Sequence, residues 1–154
     1  MRIAKVVEVA CAPEQLWPFL EEPEKQKRWM KGLLENEQSE PRGVGSTFRM
    51  RIQEGRKAAD YDGEVTAYDP PRHLAVRFGG GALPKGMCMR VDYRLTPLGG
   101  RTRLDYVAEA DTACLPWVFK LLMPLAQFFG RLQLRSFLRT LKRLAEEEGR
   151  KAAS

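Results

Sequence analysis

The chain has 154 residues and fits one domain, large enough to bury a core without disulfides or metal. With 44% hydrophobic and 30% charged residues, its composition excludes both a disordered chain and a membrane-spanning one as the default. The net charge of +6 is uneven, because residues 117–154 carry eight Lys or Arg against three Glu, so an acidic membrane surface and nucleic acid both have to be weighed as partners.

The N-terminal MRIAKVVEVA is too short and too alternating for a secretory signal, which makes the cytoplasm the expected address. Residues 2–10 alternate as a strand with Ile3 and Val7 on one side. Pro13 opens PEQLWPFLEE as a short helix, since proline suits the first helical turn, and Pro18 and Pro23 keep it short. A second helical stretch, EKQKRWMKG, ends at Gly32.

Six alternating runs follow: LLENEQSE, STFRMRIQE, DYDGEVTAYD, RHLAVRF, GMCMRVDYRL and TRLDYVAEAD, separated by Gly- and Pro-rich turns. Consecutive hairpins of this kind predict an antiparallel sheet of seven strands, counting the first. On its wet face Arg49 and Arg51 would oppose Asp60, Asp62 and Glu64, and Arg90, Asp92 and Arg94 would oppose Arg103, Asp105 and Glu109. From Leu115 the sequence turns helical to about Glu148, so residues 1–148 form the domain and 149–154 a disordered tail. The expected class is α+β.

Seven strands spaced ~4.8 Å apart make a sheet ~29 Å wide, whereas a helix with its side chains is only ~10–12 Å across. One long helix covers such a sheet only if the sheet curls around it, and a curled sheet leaves room that side chains fill poorly. Alternation then assigns the lining of a hydrophobic-ligand cavity. Phe48 and Met50 come from one run, Tyr61 and Val65 from the next, and Val76 and Phe78 from the third. Met87, Met89, Val91 and Tyr93 follow on GMCMRVDYRL, and Tyr106 on the last run. Trp29, Phe119 and Met123 complete the set from the helices. The alternative is a filled core in which each Tyr hydroxyl finds its own partner.

Little in the chain suits catalysis. The sole histidine, His73, falls on the wet face by parity, so no Ser/His/Asp set, Cys/His pair or metal cluster can be assembled. Cys11, Cys88 and Cys114 are scattered, without the close pairs of zinc or redox motifs. Inward carboxylates are missing from the central strands, leaving Tyr61, Tyr93 and Tyr106 as the polar groups of the lining. No catalytic residue, metal or cofactor is expected, and binding is favoured over turnover.

The last helix is anomalous. At ~100° per residue, Leu134, Phe137, Leu138, Leu141, Leu144 and Ala145 share one face, opposite Arg131, Arg135, Arg139, Lys142 and Arg143. The earlier residues Trp117, Val118, Leu121, Leu122, Leu125, Phe128, Phe129 and Leu132 centre on a direction rotated by roughly 160°. Either a break at Pro124 or a bend at Gly130 resolves the conflict, or residues 115–132 touch something else. The candidates are the cavity mouth near Trp29 and the 79–84 loop, a second copy of the chain, or a membrane surface met peripherally. The arginine stripe lacks an aromatic stacking platform, which disfavours nucleic acid.

The order of strand, two short helices, six-strand meander and long helix resembles the helix-grip fold. In detail, VVEVACAPEQLWPFLEEPEKQKRW, GVGSTFRMR, GEVTAYDPPRHLAVRF, VDYRLTPLGGRTRLDY and FLRTLKRLAEE resemble the polyketide cyclase/dehydrase and lipid-transport branch of the StAR-related, birch-allergen-like (SRPBCC) superfamily. The resemblance implies a curved sheet gripping the long helix around a tunnel for lipids, quinones, polyketides or other hydrophobic molecules. It leaves a polyketide cyclase or dehydratase-like activity using cavity tyrosines as the alternative to a carrier.

Overall fold

Alternating runs become strands and the 3.6-residue pattern becomes helix in the expected order: β1 (Arg2–Val9), α1 (Pro13–Glu21), α2 (Pro23–Trp29), β2 (Leu33–Gln38), β3 (Thr47–Glu54), β4 (Lys57–Asp69), β5 (His73–Gly80), β6 (Met89–Pro97), β7 (Thr102–Ala110) and α3 (Trp117–Ala153). The computed structural model describes residues 2–81, 83, 85–111 and 116–153. All seven strands form one antiparallel sheet in the order β1-β7-β6-β5-β4-β3-β2. The first two strands in sequence therefore sit at opposite edges, and α1 and α2 carry the chain across between them. This is the helix-grip fold.

Local chemistry explains the two short helices. Ala12 has no capping side chain, and the Gln15 Oε1 accepts from the Ala12 N–H at 3.0 Å instead. Pro18 lies inside α1 without ending it, at the cost of the intrahelical bond its missing N–H would have made to the Glu14 carbonyl. Pro23 starts α2 at its first turn. The Trp29 Nε1–H donates to the Phe19 carbonyl at 2.7 Å and ties the helices into a V.

The later half of α3 closes the core. Leu134, Leu138, Leu141, Leu144 and Ala145 are buried against Leu16, Phe19, Leu20, Val9 and Leu104. Fully buried Leu141 is worth about 2–5 kcal/mol against alanine. The helix continues to Ala153, past the end expected at Glu148, so residues 149–153 are helical rather than a disordered tail. Gly149 permits this, since a Cβ there would stand 2.9 Å from the Cys11 Cβ.

Cross-strand charges follow the expected register, with Arg49 opposite Asp62 and Arg51 opposite Asp60. Their ion pairs measure 2.7 and 3.9 Å. On the second hairpin Arg90 faces Glu109 and Arg94 faces Asp105, but Asp92 faces Val107 and pairs with His73 at 3.0 Å and Arg94 at 3.3 Å instead.

Three departures matter for the site. First, β6 begins at Met89, so Met87 precedes the strand. Second, β2 carries a bulge between Leu33 and Glu35, and β4 another between Val65 and Ala67. Each extra residue, Leu34 and Thr66, reverses which side chains face inward beyond it. Third, α3 passes through Pro124 unbroken, so the conflict between its two halves is resolved by exposure. Trp117 is 72% exposed and Leu121 70%, with Val118, Leu122, Leu125, Phe128 and Leu132 also in solvent.

Candidate functional site

The concave face of the sheet, the V of α1 and α2, and the later half of α3 enclose a partly open cavity of about 190 Å³. An apolar cavity of about 150 Å³ holds benzene, so this one accepts a small ring system or part of a longer chain. β2 to β7 all contribute to its wall. Curvature comes partly from Gly63 on β4, where a Cβ would run into the Phe48 ring and lie 2.6 Å from the Arg77 carbonyl oxygen. Its missing side chain is the space that Phe48 occupies.

Nine of the residues expected from the sequence meet at this cavity: Trp29, Phe48, Met50, Val65, Val76, Phe78, Val91, Tyr93 and Tyr106. Three do not. Tyr61 is buried with Leu33 and Met50 in a separate small cluster, edge-on to Phe78 at 5.9 Å, with its hydroxyl donating to Glu54. Met87 is buried in the segment before β6, and Met89 packs against the main core without reaching the cavity. The side chains of Phe119 and Met123 lie outside the described residues, as do Cys114, Leu115, Ala82 and Pro84.

The wall divides into two poles. Leu74, Val76, Val91, Leu134 and Phe137 make an apolar floor, where Tyr93 and Tyr106 meet edge to face at 5.3 Å. Burial pushes the Tyr106 hydroxyl up to about 12 and, with Tyr106 beside it, drives Tyr93 well above its ordinary value. Both phenols stay neutral at physiological pH and are donors rather than bases.

The opposite pole is polar, and most of it was missed in the sequence. Tyr68 is the first case: counted by parity from Tyr61 and Val65 it would face solvent, but the bulge at Thr66 turns it inward opposite Leu74. Its hydroxyl donates to the Glu21 Oε2 at 2.7 Å. Burial, followed by that hydrogen bond to the carboxylate, pushes Tyr68 up to about 12. Glu21 comes from the end of α1, which is why a search of the strands finds no inward carboxylate. Arg42 lies 3.7 Å from Glu21 and 3.6 Å from Glu40.

Asn36 and Gln38 are the second case. Counting from buried Leu33, the inward positions would be Glu35 and Glu37, but the bulge at Leu34 brings Asn36 opposite Met50 and Gln38 opposite Phe48. Both line the cavity. No sequence signal marks either bulge, because neither extra residue is a glycine or proline.

Fold and site together define a helix-grip protein with an internal, mainly apolar chamber that carries a polar cluster at one pole. A family model described as "Polyketide cyclase / dehydrase and lipid transport" matches residues 1–146, and the chain belongs to that family. It is 31% identical over 146 residues to the uncharacterized proteins Rv2574 of Mycobacterium tuberculosis and Mb2604 of Mycobacterium bovis, covering 91% of this chain and 81% of theirs. Among solved structures it is similar to the Zhui aromatase/cyclase from Streptomyces sp. R1128, with a TM-score of 0.75 at 16% identity over 95% of this chain and 93% of that one. TTHA0849 from Thermus thermophilus gives a TM-score of 0.73 at 18% identity over the whole of both chains. Ara h 8.0201 gives 0.70 at 13% identity over 94% of this chain and 97% of that one. At these identities the solved structures show the shared fold, while membership of the family supports binding of a hydrophobic small molecule.

Proposed function

We propose that this protein is a carrier that binds a hydrophobic small molecule in the chamber and exchanges it at an anionic membrane surface. The observation that carries the binding half is the chamber itself, whose floor of aliphatic and neutral phenolic side chains offers a guest burial and no acid–base pair. Native mass spectrometry of protein purified without detergent tests it. A copurified apolar molecule that is lost when Val76→Trp fills the floor supports the carrier. Protein that is empty and takes up no apolar probe overturns it.

The membrane half rests on the outer face of α3. At ~100° per residue, exposed Trp117, Leu121, Leu125 and Leu132 lie on the same side as exposed Arg135, Arg139 and Arg143. That face is apolar for its first half and cationic for its second, a pattern that suits insertion of the first among acyl chains while the second meets anionic headgroups. Among the described residues no helix is long and apolar enough to cross a bilayer, which leaves a peripheral contact.

The second reading is a cyclase-like enzyme, and the Glu21–Tyr68 pair at the polar pole is the feature that favours it. Conversion of an aromatic polyketide that stops in Glu21→Gln would establish that reading in place of the carrier.

A further inference from the structure

Two amide oxygens at the polar pole have no partner among the described residues. The Asn36 Oδ1 and the Gln38 Oε1 are both buried, and both residues line the chamber. A chain of hydrogen bonds fixes which end of each amide is left over. The Leu20 carbonyl accepts from the Gln26 Nε2 at 2.7 Å, which turns the Gln26 Oε1 toward Asn36. That oxygen accepts from the Asn36 Nδ2 at 2.6 Å, so the Asn36 Oδ1 is the free end. In the same way the Gln38 Nε2 donates to the Glu21 carbonyl at 2.9 Å and leaves its Oε1 over. Flipping either amide would set its oxygen against an acceptor, the Gln26 Oε1 or the Glu21 carbonyl, and lose that hydrogen bond.

The phenol and the charged groups of this pole are engaged with one another. The Tyr68 proton is spent on Glu21. Arg42 is engaged by two carboxylates and a carbonyl, at 3.7 Å and 3.4 Å on Glu21 and 3.6 Å on Glu40. One guanidinium between two carboxylates leaves no surplus positive charge for an anionic headgroup. The Asn36 and Gln38 oxygens stand two residues apart on one strand face, ~7 Å between their positions. What these two buried oxygens lack is a donor.

We infer that the guest is a neutral amphiphile whose polar end lies at this pole and carries a hydroxyl or N–H donor, which Asn36 and Gln38 accept, rather than a carboxylate or a molecule bearing only carbonyl or ether oxygens. The inference rests on the chamber being a binding site. It selects among hydrophobic molecules by chemistry: phenols, quinols, sterol-like and long-chain alcohols fit, whereas free fatty acids and fully oxidised quinones leave both buried oxygens unpaired, a mismatch that binding sites penalise strongly.

Three probes of one shape test this: 2-naphthol, 2-methoxynaphthalene and 2-naphthoate, measured by fluorescence titration at pH 7. The expected order places 2-naphthol about tenfold or more tighter than either relative. Gln38→Met keeps the side chain's length and removes its amide, the oxygen together with the Nε2–H bond to the Glu21 carbonyl, and is expected to cut the preference for naphthol over its ether several-fold. Asn36→Leu makes the same measurement on the second oxygen, and Gln38→Met stands alone should Asn36→Leu fail to fold. Equal binding of naphthol and its ether, or tightest binding of the naphthoate, overturns the inference and leaves the chamber as a binding site. Absence of binding by all three removes the binding reading itself.

Discussion

The Tyr68 hydroxyl donates to the Glu21 carboxylate at 2.7 Å, joining the middle of the sheet to the end of α1 at the polar pole of the chamber. Together with the bonds that Gln38 and Arg42 donate to the Glu21 carbonyl, it fixes how far the V of helices stands from the sheet. Tyr68→Phe keeps the edge-to-face contact with Trp17 at 5.8 Å and removes only the hydrogen bond. The expected loss is about 0.5–1.5 kcal/mol in urea unfolding, as for a single partly buried hydrogen bond. A neutral result would mean that Arg42 alone satisfies the Glu21 carboxylate.

Alkali should destabilise the fold through its phenols and a thiol. Tyr68 and Tyr106 are pushed from 10 up to about 12, and Cys11, by burial and then by Glu146, from 9.0 up to about 11. In each case the folded state holds its proton where the unfolded state has lost it, so the contribution is complete below the unfolded value and disappears as pH rises through the folded one. Stability is therefore expected to be insensitive to these groups up to about pH 9 and to fall between pH 9 and 12. Spectrophotometric titration at 295 nm should show Tyr68, Tyr93 and Tyr106 ionising late, and Tyr106→Phe should flatten the alkaline fall in stability. Early ionisation of all four tyrosines, with no change in stability, would contradict the burial of the chamber floor.

Gly63 is expected to tolerate no side chain. A Cβ would meet the Phe48 ring and the Arg77 backbone oxygen well inside contact distance, and the backbone has nowhere to move within the sheet. Gly63→Ala should cost about 1–3 kcal/mol in thermal unfolding, the range for an overpacked interior. Combining it with Phe48→Ala should recover part of that loss, since the ring is one of the two obstacles.

Cosedimentation with vesicles containing anionic lipid checks the outer face of α3. Trp117→Ser combined with Leu121→Ser removes two of the most exposed apolar side chains and should lower binding several-fold with no loss of fold. Arg135→Glu with Arg139→Glu should lower it as well, and added salt should weaken the wild type, because screened charges attract headgroups less. Equal binding by all three proteins, or none by the wild type, would remove the membrane from the proposed function.

The sequence by itself determined the element order, the seven-strand meander, the apolar half of the chamber and the conflict along α3. These are local properties: alternation places Val76, Val91 and Tyr93 on one face, and 3.6-residue spacing places Leu134 and Leu141 on another. Only the tertiary structure decided the polar half. Parity fails beyond a bulge, and the bulges at Leu34 and Thr66 are set by pairing with the neighbouring strand, which no adjacent residue announces. They turn Asn36, Gln38 and Tyr68 inward, where Glu21 arrives from a helix distant in the chain. The fate of Trp117 to Leu132 was likewise undecided by pattern alone, because an apolar helical face is buried or exposed according to where the sheet beneath it ends.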